Sequence, residues 1–154
     1  GNAAWVLSQH PEARDWLGTR PEAGQAAVEE LLRFETPTHY VARFARKEMQ
    51  LGGRKIRAGQ QVHVMIASAN RDPERFSDPD VLDLQRPDTR HLSFGYGIHF
   101  CLGAPLARIE LEVATRALLE KFGPFRALGW ERGGTPQVRG LRLLFIAGPK
   151  LREN

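Results

Sequence analysis

Cysteine is the scarcest reactive residue in the sequence: Cys101 stands alone among 154 residues. A single thiol excludes an intramolecular disulfide and any zinc or iron–sulfur site built from several cysteines, and it fits a reducing compartment. Long hydrophobic runs are lacking as well. The most apolar stretches, around 62–69 and 141–147, match buried strands or short helices and fall well short of the ~18 residues of a spanning helix. No signal-peptide pattern opens the chain, so a cytoplasmic protein that does not enter a membrane is expected. Like charges never run to five or six in a row and the formal charge is only +4. That balance speaks against a nucleic-acid-binding arm and suits an acidic protein partner. An initiator methionine is also missing, which predicts that these residues are part of a longer protein.

The composition is otherwise that of a globular chain, with 42% hydrophobic and 26% charged residues, enough for one unit with a core. Residues 2 to 17 read as helical with a break at His10-Pro11, since a proline forces its predecessor out of the helix. A second helix is expected over 21–34, with Pro21 in its first turn and Ala27, Leu31 and Phe34 on one face. Short strands are expected at 40–44, 49–51, 55–56 and 61–65. Residues 70–90, rich in Asp, Arg and Pro, read as an irregular, hydrogen-bonded meander. The clearest helical pattern follows Gly103. Leu102, Leu106, Ile109, Val113 and Ala117 are spaced as a core stripe, while Arg108/Glu112, Glu112/Arg116 and Arg116/Glu120 are i,i+4 ion pairs on the other side. Gly123-Pro124 stops this helix, and a hairpin closes the chain. The expected fold class is α+β, as a single unit over 1–154.

The segment 94–103 carries the chemistry. Gly95, Gly97 and Gly103 permit backbone conformations closed to other residues and let a flat group approach the main chain. Cys101 lies where loop turns into helix, so free amides and the dipole favour its thiolate. Phe94 and Phe100 bracket it with apolar surface, and His99 is placed to meet an anion. Three readings are open: a small buried hydrophobe, a nucleophile at a helix start with a histidine base, or a soft metal ligand.

Phe94, Gly95, Gly97, His99, Cys101, Leu102 and Gly103 together resemble the haem-binding loop of the cytochrome P450 family, whose pattern is Phe-x-x-Gly-x-x-x-Cys-x-Gly. Other segments extend the resemblance to the soluble bacterial branch over residues 10–144: Glu30 and Arg33 as Glu-x-x-Arg, Asn70 to Pro73, Arg75-Phe76, Asp78-Pro79 and His91 to Phe94. The resemblance implies the C-terminal, haem-binding portion of the mainly helical P450 fold with small β-sheets. That portion comprises the Glu-x-x-Arg helix, meander, cysteine loop, following helix and terminal hairpin, while the N-terminal portion and central helix are absent. It implies haem b (iron protoporphyrin IX), with Cys101 as iron ligand and catalytic centre and with Phe94, Gly95, Gly97, His99, Gly103 and Arg43 holding the cofactor. A structural triad of Glu30, Arg33 and Arg86 follows from it. So do substrate-facing positions at Thr38, His39, Tyr40, Val41, Gln137 and Val138. The implied activity is that of a monooxygenase which activates dioxygen to hydroxylate a small organic substrate. Electrons would come from a ferredoxin- or flavodoxin-type donor, with Arg108 and Arg116 as candidate contacts. Without a distal wall this portion alone is expected to hold haem poorly, to be inactive and to self-associate. The competing class is a catalytically silent P450-like binding or scaffolding module.

Overall fold

Proline placement sets the first boundary. Pro11 cannot donate the amide bond that would carry a helix onward, so helix α1 (Asn2–Gln9) ends at His10 and helix α2 (Pro11–Gly18) begins anew. The computed structural model describes residues 1–149; the remainder of the expected unit, 150–154, lies outside the described residues. The helix expected from Pro21 starts as a 3-10 turn (Pro21–Ala23) and becomes α-helical as α3 (Gly24–Phe34). Helix starts commonly tighten in this way, and Gly24 lies so close to Glu112 that a Cβ would meet its carboxylate at 3.0 Å.

Four short strands follow: β1 (Val41–Phe44), β2 (Met49–Leu51), β3 (Arg54–Ile56) and β4 (Gln61–Val64). β1 pairs antiparallel with β4, Val41 facing Val64, and β2 pairs with β3 across the Gly52-Gly53 turn. One turn of helix α4 (Ile66–Ala69) leads into residues 70–93, which contain neither helix nor strand. Helix α5 (Ala104–Phe122) ends at Gly123 in a left-handed conformation, φ +66°. Strands β5 (Arg126–Gly134) and β6 (Arg139–Ala147) form the terminal hairpin, and a bridge between Thr38 and Val138 ties its turn end to the chain before β1. The fold is α+β, with three separate two-stranded sheets among the described residues.

The core lies among α1, α2, α3 and one side of α5. Val6, Leu7, Ala27, Leu31 and Phe125 are each at most 2% exposed, and Leu111, Leu118, Leu119 and Phe122 of α5 pack against them. The expected core stripe of α5 is therefore on the wrong side. Leu102, Leu106, Ile109 and Val113 are 59–99% exposed and Ala117 is exposed too. Spacing reveals which residues share a helix face but not which face the fold covers.

Polar ties fasten α3 to everything around it. Glu30 and Arg33 are fully buried and meet in a two-pronged pair, Nε–Oε2 2.7 Å and Nη2–Oε1 2.8 Å. Arg86 Nε reaches the same carboxylate at 3.2 Å, and the Asp83 amide donates to it at 3.0 Å. The remaining guanidinium hydrogens go to carbonyls: Arg33 to Asn70 and Pro79, Arg86 to Ser77 and Val81. A buried charge set of this kind is tolerable only because no lone pair or proton is left over.

Next to it, Glu29 faces α5. Arg108 grips its carboxylate with two hydrogen bonds, 2.6 and 3.0 Å, in place of the expected helix-surface pair with Glu112; a tertiary partner with two-pronged geometry wins over an i,i+4 neighbour. Arg116 does pair with Glu112, at 3.5 Å. Partial burial disfavours ionised Glu29, but the nearness of His91 and the hydrogen bonds and charge of Arg108 outweigh it and hold the carboxyl at about 2.

Two outcomes follow. Glu30→Gln or Arg33→Met, each stranding a buried charge, should cost about 3–5 kcal/mol in urea denaturation. The Glu29 contribution should be complete above the ordinary carboxylate value of 4.5 and be lost as pH falls from there towards 2, because its folded-state value is the lower one. Urea midpoints taken through that window should fall less steeply for Glu29→Gln than for the parent.

Candidate functional site: the cysteine loop and the cleft it faces

The chain from Phe94 to Cys101 folds back into a closed ring. Gly95 and Gly97 take left-handed backbone angles, φ +73° and +70°, which a side chain would strain. They turn the chain so that the Cys101 amide donates to the Phe94 carbonyl at 2.9 Å and the Phe100 amide to the Gly97 carbonyl at 3.0 Å. Gly103 differs from expectation: its φ of −81° is ordinary, and a Cβ there would rest 3.8 Å from the Cys101 sulfur. The Cys101 thiol is exposed and precedes α5 by three residues. The Ala104 amide closes the turn onto the Cys101 carbonyl, 3.2 Å away.

The sulfur faces a cleft of about 440 Å³ between this loop and the β1–β4 ribbon. Phe94, Gly95, Tyr96, His99 and Cys101 line it from the loop, and Thr38, Val41, Arg43, Val64 and Ile66 from the ribbon and its flanks. Alternation along β1 brings Val41 and Arg43 to the same face, two residues apart. Arg43 is exposed, with one nitrogen bonded to the Ala42 carbonyl at 2.9 Å. The cleft thus combines one thiol, a guanidinium, an imidazole and a mostly hydrocarbon lining.

The other expected residues distribute differently. Phe100 packs edge-on to Phe94, 6.4 Å between ring centres, but turns its exposed surface to the outer side of the loop. His39 lines a separate hollow with Arg132 and Gly133, and Tyr40 packs on His63. The Gln137 carbonyl accepts from the His39 amide at 2.8 Å, and Val138 bridges Thr38. The two expected substrate-facing segments therefore touch, but of the six residues only Thr38 and Val41 line the cleft. Arg116 borders a groove among α2, α3 and α5, away from the cysteine loop.

Asn70, Ser93 and His91, to which sequence reasoning gave no role of their own, hold the loop's entry. Asn70, fully buried, accepts from the Leu92 amide at 2.8 Å and donates to Ser93 Oγ at 2.9 Å. Ser93 Oγ donates to the Leu32 carbonyl of α3 at 2.8 Å. The His91 ring, 2% exposed, lies with Nε2 3.3 Å from Glu29, turned off the line of a formed hydrogen bond. The signals available were an asparagine at the start of the meander, Asn70, and the paired Glu29-Glu30 on one helix.

Behind the loop, on its outer side, a second cleft is lined by Arg75, Arg90 and Arg108 together with exposed Tyr96 and Phe100. Asp88 binds Arg90 at 2.6 Å and Arg75 at 2.9 Å, and their hydrogen bonds hold its carboxyl well below the usual carboxylate range. Among the described residues no three His, Cys, Asp or Glu side chains cluster as a metal cage, and no helix is long and apolar enough to cross a membrane.

Comparison with known proteins accounts for this arrangement. The family model for cytochrome P450 matches residues 24–124. The biotin biosynthesis cytochrome P450 of Bacillus subtilis is 45% identical over 120 residues, covering 78% of this chain and 30% of that protein. The cytochrome P450 monooxygenase PikC of Streptomyces venezuelae is 42% identical over 158 residues, covering 99% of this chain and 38% of its own. The crystal structure of P450BioI in complex with an acyl carrier protein ligated to hexadec-9Z-enoic acid superposes with a TM-score of 0.92 at 39% identity, over 96% of this chain and 39% of that one. The chain spans well under half the length of these relatives. Sequence, fold and the cysteine loop agree: the chain belongs to the cytochrome P450 family.

Proposed function

We propose that the chain is the haem-binding portion of a haem-thiolate monooxygenase, with Cys101 as the protein's ligand to iron. The single observation that carries this is the cleft itself, which sets an exposed sulfur among apolar walls with two cationic or donor side chains, Arg43 and His99, at its edge. Its volume falls within the ~300–1,000 Å³ usual for small-molecule and cofactor sites. The donor set suits haem b: one soft ligand for iron, two partners for two carboxylates, and hydrocarbon for a flat macrocycle. A nucleophile reading finds less support, because no hydrogen bond among the described residues joins His99 or another base to the sulfur.

Bound there, haem would supply reductive activation of dioxygen and delivery of one oxygen atom to a small organic substrate. The residues have simpler tasks. Cys101 donates electron density through its thiolate, and the ring closed by its amide keeps that sulfur aimed into the cleft. Arg43 and His99 compensate propionate charge, Phe94 excludes water from the sulfur side, and Thr38 and Val41 present the wall nearest a substrate. The outer cleft, with Arg90 and Tyr96 both strongly exposed, is the face for an acidic ferredoxin- or flavodoxin-type donor. Arg108 contributes less there than the sequence implied, since Glu29 already holds it. The uncovered stripe of α5 needs a cover, either the further length that the relatives carry or a second copy of this chain.

Reconstitution with haem, reduction and exposure to carbon monoxide tests the assignment. Loaded with haem in excess, to offset the poor retention expected without a distal wall, the parent should show a Soret band at about 450 nm, which thiolate ligation produces and Cys101→Ser should abolish. A band unchanged by that substitution overturns the reading. Arg43→Ala and His99→Ala should leave the band position unaltered but weaken haem binding by about ten- to a hundredfold each, the worth of a hydrogen bond to a charged group. Haem titration followed by absorbance measures that loss.

A further inference from the structure

We propose that Glu29, His91 and Arg108 form a lock that positions the cysteine loop by clamping both of its ends to a single carboxylate. The starting point is two adjacent acids on α3. With 3.6 residues per turn, neighbouring side chains point about 100° apart, so Glu29 and Glu30 cannot serve the same element. Glu30 is consumed by Arg33, Arg86 and the meander. Glu29 turns to the loop.

His91 stands three residues before the loop's first residue, Phe94, and Arg108 stands five residues after its last, Gly103. Both stand at Glu29: Arg108 through two hydrogen bonds, His91 through a close approach, with Nε2 3.3 Å away and off the hydrogen-bond line. The His91 Nδ1 accepts from the Ser93 amide at 3.1 Å, which puts the ring proton on Nε2, the nitrogen facing the carboxylate. Arg108 also lies over the Phe94 ring, 4.7 Å from its centre. The Phe94 carbonyl in turn accepts the Cys101 amide. An unbroken path of contacts thus leads from one helix carboxylate to the peptide that carries the sulfur. The residues act through Phe94 and the loop backbone and touch neither the sulfur nor the cysteine cleft, so they are positioning residues.

This differs from a surface ion pair in two ways. Its members come from three elements, with Glu29 and Arg108 79 residues apart, and His91 is almost wholly enclosed. It also differs from the Glu30 network, whose partners lie in the meander and do not bracket the loop. Loss of the lock should therefore loosen residues 91–103 while the packed core of α1, α2 and α3 stays closed. The lock rests on the haem reading only for its purpose; its existence is testable on the chain without cofactor.

Amide hydrogen exchange of the 154-residue chain, resolved by residue, gives the test. Glu29→Gln and Arg108→Gln should each speed exchange at Cys101, Leu92 and Ser93 by about tenfold, while the amides of Val6, Leu7 and Leu31 change less than about twofold. The double variant should exceed Glu29→Gln by clearly less than the effect of Arg108→Gln alone, because the two substitutions share the Glu29–Arg108 interaction. Arg108→Lys, which keeps the charge but not the fork, should fall between parent and Arg108→Gln. Exchange at Cys101 unaffected by the single variants, effects that simply add in the double variant, acceleration spread evenly over all amides, or a parent in which Cys101 is unprotected would each overturn the proposal. Failure of the haem titration with these results intact would sink the cofactor reading and leave the lock standing.

Discussion

The structure depends on one buried interaction, the two-pronged grip of Arg33 on Glu30 inside α3. Burying two charges is unfavourable unless each proton and lone pair finds a partner. Here the helix spacing of three brings the pair together, and the meander supplies Arg86, the Asp83 amide and a row of carbonyls to complete the set. The meander has no helix or strand to fix it, so these bonds are its internal scaffold. Arg71 adds a further strap, donating to the Phe34 carbonyl and lying 3.8 Å above the Phe34 ring. Helix α3 is thus the mast to which an irregular segment of more than twenty residues is rigged.

The cysteine loop is held by the same mast, by different fittings. Asn70 and Ser93 tie its entry to α4 and to the Leu32 carbonyl, and Glu29 reaches its approaches on both sides. The loop is positioned from behind by polar bonds, while its front is left to sulfur, hydrocarbon and two basic groups. A site arranged in this way separates the groups that set position from those available for chemistry. The chain can then keep the Cys101 sulfur exposed while its backbone stays fixed.

Features decided by a residue's own backbone were legible in the sequence. The break at Pro11, the stop at Gly123, the terminal hairpin and the left-handed Gly95 and Gly97 all follow from local sterics. The family motif carried the Glu30, Arg33 and Arg86 set, which no local rule would have assembled. What escaped was partnership at a distance. The Leu106, Ile109 and Val113 stripe was correctly grouped on one face, yet burial depends on what stands opposite, and here that face stands uncovered. Arg108 had an apt neighbour in Glu112, but a carboxylate on another helix offered a better fork. Asn70, Ser93 and His91 are unremarkable residue types whose importance comes from being enclosed together, something no window of sequence displays.

The bond from the Cys101 amide to the Phe94 carbonyl has a consequence for how such a loop can diversify. It makes the intervening residues a tethered eyelet whose two feet are fixed. Ile98, 97% exposed, projects from that eyelet and lines neither the cysteine cleft nor the outer one. Its side chain is free to be rewritten for a new neighbour while the anchor of the sulfur stays where it was, so what that position presents outward and how the sulfur is held can evolve as separate variables.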